Sequence, residues 1–246
     1  MGMNIEIELA GTRLRLQITL PETAERFGRF LRRRGCETWD LKPDSPEDCG
    51  MPLSAPGEPL TPYTEFMLCM PPVSGALLAH ERVLLHGVAF LWRGKAWLIT
   101  APSGTGKTTQ YYHWKRLWPE ETEIINGDKS VLAMCADGFH LLPSPWTGKE
   151  GDAGEGEGAL GGIVVLSQAQ ENRIRRLSPG EAVIPLLKAF IVRCRTEAEA
   201  LQMAALEEKL LRTTPVWLLE NRGDEASAAL TRETLLEYER KQDDTV

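Results

Sequence analysis

The chain lacks the features that would assign it to several broad classes at once. No apolar run approaches the roughly 20 residues needed to cross a bilayer, and the acidic opening Met3-Asn4-Ile5-Glu6 has none of the layout of a signal peptide. A cytoplasmic location with no membrane partner is therefore expected. The five cysteines, Cys36, Cys49, Cys69, Cys135 and Cys194, contain no Cys-x-x-Cys pair, which argues against a zinc site and for reduced thiols. Excess positive charge is absent too: 28 Lys and Arg against 35 Asp and Glu leave a net charge of −7, which disfavours a broad nucleic-acid surface. No internal repeat is present. What remains is a 246-residue chain, 42% hydrophobic and 26% charged, the profile of a globular protein with one full core and room for a small annex.

Ile5, Ile7 and Leu9, then Leu14, Leu16, Ile18 and Leu20, alternate with polar neighbours around Gly11-Thr12 and predict an opening β-hairpin. Pro21-Glu22-Thr23 should start a helix carrying Phe27, Phe30 and Leu31, with Arg32-Arg33-Arg34 at its carbonyl pole. Six prolines between residues 42 and 62 predict an irregular connector. The expected division is an annex with its connector over residues 1–60 and a nucleotide-binding domain over 61–246. Val83 to Trp92 turns through Arg93-Gly94-Lys95 into Ala96 to Thr100, so the chain reaches the glycine-rich segment after Thr100 from an antiparallel hairpin. Downstream, Thr108 to Trp118 is a helix, Ile124-Ile125 a short strand and Val131 to Leu142 a hairpin. Gly151 to Gly162 alternates glycine with acid and is expected to be mobile, a place for acceptor contacts or a closing lid. Ile163 to Leu166 reads as a strand. Ser178-Pro179-Gly180-Glu181 is a capping box opening a helix to about Cys194, and Thr196 with Glu199 opens another to about Arg212. Val216 to Leu219 is a late strand and Ala226 to Lys241 a terminal helix.

The chemistry concentrates at Ser103-Gly104-Thr105-Gly106-Lys107-Thr108-Thr109, a P-loop between a strand and a helix. Glycines let the main chain wrap a β-phosphate without Cβ atoms in the way. Lys107 would span the β and γ oxygens, and the Thr108 hydroxyl would hold Mg²⁺ beside the positive pole of the helix. The usual pattern begins with glycine where this chain has Ala101, so the loop must tolerate a methyl group. Magnesium also wants a carboxylate at the end of a neighbouring strand, and Asp128 after Ile124-Ile125-Asn126-Gly127 meets that need. An aspartate after Asn-Gly is otherwise a turn former. ATP, or another nucleoside triphosphate, and Mg²⁺ are the expected ligands.

Three further groups are candidates. His86, between apolar residues, is either a core histidine or a proton acceptor brought near the loop by the hairpin. Lys149, in Trp146-Thr147-Gly148-Lys149, is able to reach phosphate or an acidic substrate, with Thr147 beside it. Arg193, placed late in a helix, is a weaker candidate for neutralising transition-state charge. Lys129 either contacts phosphate or sits in water.

Ser103 to Thr109 resembles the loop of phosphoenolpyruvate carboxykinases, and Leu85-His86-Gly87-Val88, one hairpin upstream, resembles HPr kinase/phosphorylase. The stretches Ile125-Asn126-Gly127-Asp128-Lys129, Pro145-Trp146-Thr147-Gly148-Lys149 and Arg175-Arg176-Leu177-Ser178-Pro179 are similar to small bacterial HPr-kinase-related proteins over roughly residues 60 to 220. The resemblance implies a mixed α/β fold of the carboxykinase type, with a partly antiparallel sheet, and an ATP-dependent kinase acting on a hydroxyl. The acceptor is left open among a serine of a small protein or peptide and a hydroxylated metabolite. Self-association into a homo-oligomer is also implied. HPr kinases close the strand with two adjacent aspartates, of which this chain retains the second as Asp128; Gly127 stands at the place of the base, and His86 becomes its replacement. A non-catalytic ATP-binding module and carboxykinase chemistry are the alternatives.

Overall fold

The computed structural model describes residues 2–32, 39–45, 59–148 and 150–243. Alternation of apolar and polar residues sets the first element. β1 (Met3–Leu9) and β2 (Thr12–Ile18) pair antiparallel, and Ala10 and Gly11 both take positive φ, 49° and 75°, the backbone that a tight two-residue hairpin requires. Ile5, Ile7, Leu9, Leu14, Leu16 and Ile18 are all buried. The expected helix is short. α1 (Pro21–Glu25) is followed by a 3₁₀ turn over Gly28–Phe30, because Gly28 turns the chain with φ 49°. Leu31–Arg32 then forms β3 against Ile7 and Glu6 of β1, so Arg32 ends on a strand, paired with Glu8 at 3.2 Å. Arg33 and Arg34 lie outside the described residues. β4 (Trp39–Leu41) completes a four-stranded sheet in the order β3-β1-β2-β4.

This sheet packs on α2 (Pro62–Leu68) and α3 (Met70–Leu78), in one apolar cluster that also takes in Leu84, Val131 and Trp146. Glu65 fastens the two parts. Its carboxylate, 1% exposed, accepts from the amides of Thr19 (2.5 Å) and Leu20 (3.0 Å) and from the Thr23 hydroxyl (2.7 Å), which compensates the cost of burying it.

The main sheet contains β5 (Arg82–His86), β6 (Val88–Trp92), β7 (Lys95–Thr100), β8 (Thr122–Asn126), β9 (Lys129–Cys135), β10 (Gly138–Leu142), β11 (Gly158–Gln168), β12 (Arg173–Arg176), β13 (Phe190–Ile191) and β14 (Val216–Asn221). Its main path runs β13-β5-β9-β10-β11-β7-β6-β8, and β14 joins β11 with β12 beside it. Only β7–β11 and β11–β14 pair parallel, so the sheet is mixed and mostly antiparallel. α4 (Lys107–Leu117) and α7 (Glu225–Asp243) cover one face over an aromatic cluster of Phe90, Trp92, Trp97, Trp114 and Trp217. α5 (Pro179–Ala189) and α6 (Glu197–Thr213) cover the other, over Leu85, Leu98, Ile163, Leu186, Leu206 and Leu210. Both capping boxes form as expected. Among the described residues no helix is long and apolar enough to cross a membrane.

Two further expectations change. α5 stops at Ala189, not near Cys194, because Phe190 and Ile191 become extended and pair with Leu85 and Leu84 of β5. The glycine-and-acid stretch is packed. Gly158 to Gly162 belongs to β11, and a Cβ at Gly154 would lie 1.7 Å from the Ile124 carbonyl oxygen, at Gly156 2.7 Å from Leu91, and at Gly162 2.5 Å from Trp217. Those glycines answer to close approach rather than to mobility.

Candidate functional site

Two corners of the main sheet meet. The chain passes from β5 to β6 at Gly87 and from β8 to β9 at Gly127-Asp128, and the Gly87 amide donates to the Asp128 carbonyl at 2.8 Å. β5 pairs with β9 and β6 with β8, so His86 and Asp128 close adjacent pairs at the same level. Gly87 admits no side chain, since a Cβ would lie 2.7 Å from the Ile99 carbonyl. β7 ends beside this corner, where the Thr100 hydroxyl donates to the His86 carbonyl at 2.7 Å.

From Thr100 the chain runs directly into the 101–109 loop. Gly104 and Gly106 adopt φ 76° and 107°, with open space where their Cβ atoms would be, and Gly106 stands at the N-terminus of α4. Ser103 and Gly104 are exposed, Thr105 donates its amide to Pro102 at 3.4 Å, and Lys107, Thr108 and Thr109 form the first helical turn. The Ala101 methyl is accommodated in the apolar cluster with Val88, Ile99 and Tyr111. Lys107 is 8% exposed, and its ammonium donates to the carbonyls of Ala101 (3.0 Å) and Pro102 (3.1 Å). Burial pulls its pKa down and the nearby Asp128 charge opposes that.

Asp128 has a side-chain partner on each oxygen. His86 Nε2 lies 3.3 Å from Oδ1, and the Lys129 ammonium is paired with Oδ2. Burial alone would raise its pKa; the His86 hydrogen bond and the Lys129 charge outweigh that and hold it below the usual carboxylate range. With Nε2 turned toward the carboxylate, Nδ1 is the ring position able to accept a proton.

Sequence spacing alone missed the residue that aims Asp128. Asn126 is fully buried, its Oδ1 accepts from the amides of Asp128 (2.9 Å) and Lys129 (2.8 Å), and its Nδ2 donates to the Ser144 carbonyl at 3.0 Å. An Asn-Gly-Asp turn carries that signal, since asparagine commonly accepts from the amides two and three residues on. Residues 144–148 and 150–154 lie across the same corner. The Gly127 amide donates to the Asp152 carbonyl at 2.9 Å, the Asp152 carboxylate accepts from the Tyr112 hydroxyl of α4 at 2.8 Å, and Gly148, φ 79°, would place a Cβ 3.0 Å from that of Asp128. Thr147 lies against Gly127 through its carbonyl. Lys149 falls outside the described residues. Arg193 is a correction: it follows β13 on a non-helical segment directed away from His86, and lies 3.8 Å from the buried Asp44 carboxylate.

The donor set suits a polyphosphate and its cation. The buried Lys107 ammonium feels the Asp128 charge, Thr108 stands beside it in the first turn of α4, and the described residues hold no cluster of three His, Cys, Asp or Glu that would bind a metal unaided. A divalent cation there would complete its shell with phosphate oxygens and water.

No family model and no curated protein matches the chain. Among solved structures, the HPr(Ser) kinase/phosphatase from Coxiella burnetii is similar at a TM-score of 0.39 and 12% identity, over 66% of this chain and 93% of that one.

Proposed function

We propose that this protein is an ATP-dependent kinase that transfers the γ-phosphate to a hydroxyl. The observation that carries the reading is the meeting of Lys107, Asp128 and His86 at one corner of the sheet, below a loop with two left-handed glycines. In this reading the amides of residues 103–109 cradle the β-phosphate, Lys107 exchanges its carbonyl partners for β and γ oxygens, and Thr108 with Asp128 holds Mg²⁺. When bound, the cation neutralises charge on the phosphates. His86, oriented by Asp128 through Nε2, accepts the hydroxyl proton at Nδ1 as the new oxygen–phosphorus bond forms and the diphosphate departs. The carboxykinase-type architecture rests on the motif residues around Leu85-His86-Gly87-Val88 and Ser103 to Thr109.

Incubation with γ-labelled ATP, Mg²⁺ and hydroxyl acceptors tests the proposal; label should move to an acceptor with the native chain and not with Lys107→Ala. One observation favours a second reading. Asp128 already has both oxygens engaged, by His86 and by the Lys129 ammonium, and Gly127 offers no side chain, which suits a module that binds ATP without consuming it. Calorimetric ATP binding with no loss of ATP and no transfer would select that reading.

A further inference from the structure

A groove of about 350 Å³ opens beside the corner shared by His86 and Asp128. His86, Thr100 and Pro102 form its inner wall; Ile184, Pro185 and Lys188 of α5 form the outer one. The inner wall coincides with the chemistry, because the Lys107 ammonium is bonded to the Pro102 carbonyl and His86 to Asp128. The outer wall has a composition unusual for a surface helix. Ile184 and Leu187 are 57% and 50% exposed, one turn apart, and Lys188 makes no ion pair among the described residues.

We infer that this groove receives the acceptor, and that the acceptor is a peptide segment whose hydroxyl residue is flanked by an apolar side chain and followed by an acidic one. The inference rests on the proposed kinase activity. Polar partners decide against a small polyol or free amino acid: among the residues named, only His86, Thr100 and Lys188 offer any, and the Thr100 hydroxyl is already given to the His86 carbonyl. A molecule bearing many hydroxyls would leave most of them unpaired on an apolar wall, a cost that such sites use to reject ligands. The volume stands near the lower end of ligand sites and suits one or two side chains. The exposed Ile184 and Leu187 extend the apolar surface along α5 and would be covered only by a chain continuing past the groove. Lys188, in a chain of net charge −7, supplies the local positive potential that selects an acidic neighbour. With the hydroxyl at the inner wall, its oxygen bonds to the γ-phosphorus, the bond from that phosphorus to the β–γ bridging oxygen breaks, ADP leaves with that oxygen, and the hydroxyl proton passes to His86 Nδ1.

The test uses the full chain and two fluorescein-labelled serine peptides, one with leucines beside the serine and an aspartate two residues on, the other with glycines and a lysine. Anisotropy without ATP reads groove binding independently of transfer, and labelled ATP reads transfer, with free serine and inositol in parallel. The apolar, acidic peptide should bind, and should be labelled at least about tenfold more efficiently than the others. Ile184→Asp and Lys188→Glu should each raise its KM about tenfold while calorimetric ATP affinity stays constant. Lys188→Glu should favour a leucine-flanked peptide carrying lysine. Equal binding of both peptides, equal labelling of serine or inositol, or indifference to both substitutions would overturn the assignment. Peptide binding that survives without any phosphate transfer would remove the kinase reading and leave the groove as a peptide site.

Discussion

His86 Nε2 lies 3.3 Å from Asp128 Oδ1, across the two corners where β5 gives way to β6 and β8 to β9. That contact ties the proposed proton acceptor to the proposed metal ligand and helps hold the Asp128 pKa down. His86→Ala should let the Asp128 pKa rise, because its strongest lowering partner is the histidine. If His86 accepts the hydroxyl proton, the substitution should reduce kcat by about 10²- to 10⁴-fold with ATP affinity little changed. Steady-state kinetics with a labelled acceptor decide it; an unchanged kcat would leave His86 only an orienting contact.

The same pair gives a signed pH dependence. Asp128 has a folded pKa below its unfolded value, so its stabilisation is fully present above the unfolded value and is lost as pH falls through the folded one. Asp128→Asn should therefore melt below the native chain at neutral pH, and the gap should narrow as the pH drops below about 4. Thermal melts across pH 3 to 7, as a rough working range, test this, and a gap that widened on acidification would contradict it.

Lys107 is buried with only loop carbonyls as hydrogen-bond partners, and burial pulls its pKa down. Its charge is thus a cost to the ligand-free fold that a polyphosphate would relieve. Lys107→Met, which keeps the stem and removes the charge, should melt no lower than the native chain without nucleotide. The native chain at 100 times the nucleotide Kd should gain about 2.7 kcal/mol, and the variant nothing. A Tm increase in Lys107→Met on adding ATP and Mg²⁺ would contradict the role given to the lysine.

Legibility in the sequence depended on whether the cause of each feature was local. The β1–β2 and β6–β7 turns, the two capping boxes and the strand-loop-helix around Gly106 are dictated by neighbours in the chain, and they form as expected. β13 is different: Phe190 and Ile191 continue a helical pattern, yet pair with Leu85 and Leu84, a partnership invisible to periodicity. The glycines from Gly154 to Gly162 look like a flexible tether only while Ile124, Leu91, Trp97 and Trp217, the residues they press against, are out of view. Asp128 was legible as a carboxylate after a strand, but Asn126 as its brace and Lys129 as its partner needed the folded turn. The distance between His86 and Asp128 likewise depends on the packing of Gly87, which sequence spacing does not contain.

Gly127 looks like the loss of a base, and a simple repair would be Gly127→Asp. The structure predicts that the repair fails. A Cβ there would lie 2.9 Å from Asp152 Cβ and 3.2 Å from the carbonyls of Asp152 and Thr147, so even Gly127→Ala should cost about 1–3 kcal/mol by overpacking. Denaturant unfolding should show a lower midpoint for both variants and no gain in transfer; an active, stable Gly127→Asp would refute the packing account.

Gly151 to Gly162, which the sequence suggests as a lid, should behave as part of the sheet. Three independent contacts hold its first half down: the Gly127 amide on the Asp152 carbonyl at 2.9 Å, the Gly154 amide on the Ile125 carbonyl at 3.1 Å, and Tyr112 on the Asp152 carboxylate at 2.8 Å. Arg29 of the annex adds a hydrogen bond to the Gly154 carbonyl. Its second half is β11, flanked by β7 on one side and by β10 and then β14 on the other. A segment paired in this way opens only with the sheet, so the amides of Gly154 and Ile163 should exchange as slowly as the central strands, whether or not nucleotide is present. Gly154→Ala, which would force a Cβ to 1.7 Å from the Ile124 carbonyl, should destabilise the fold and release that protection first around Ile124 to Asp128. Fast exchange at Gly154 that slows on adding ATP and Mg²⁺ would instead restore the lid, and with it a closing motion over Asp128 that the observed packing does not require.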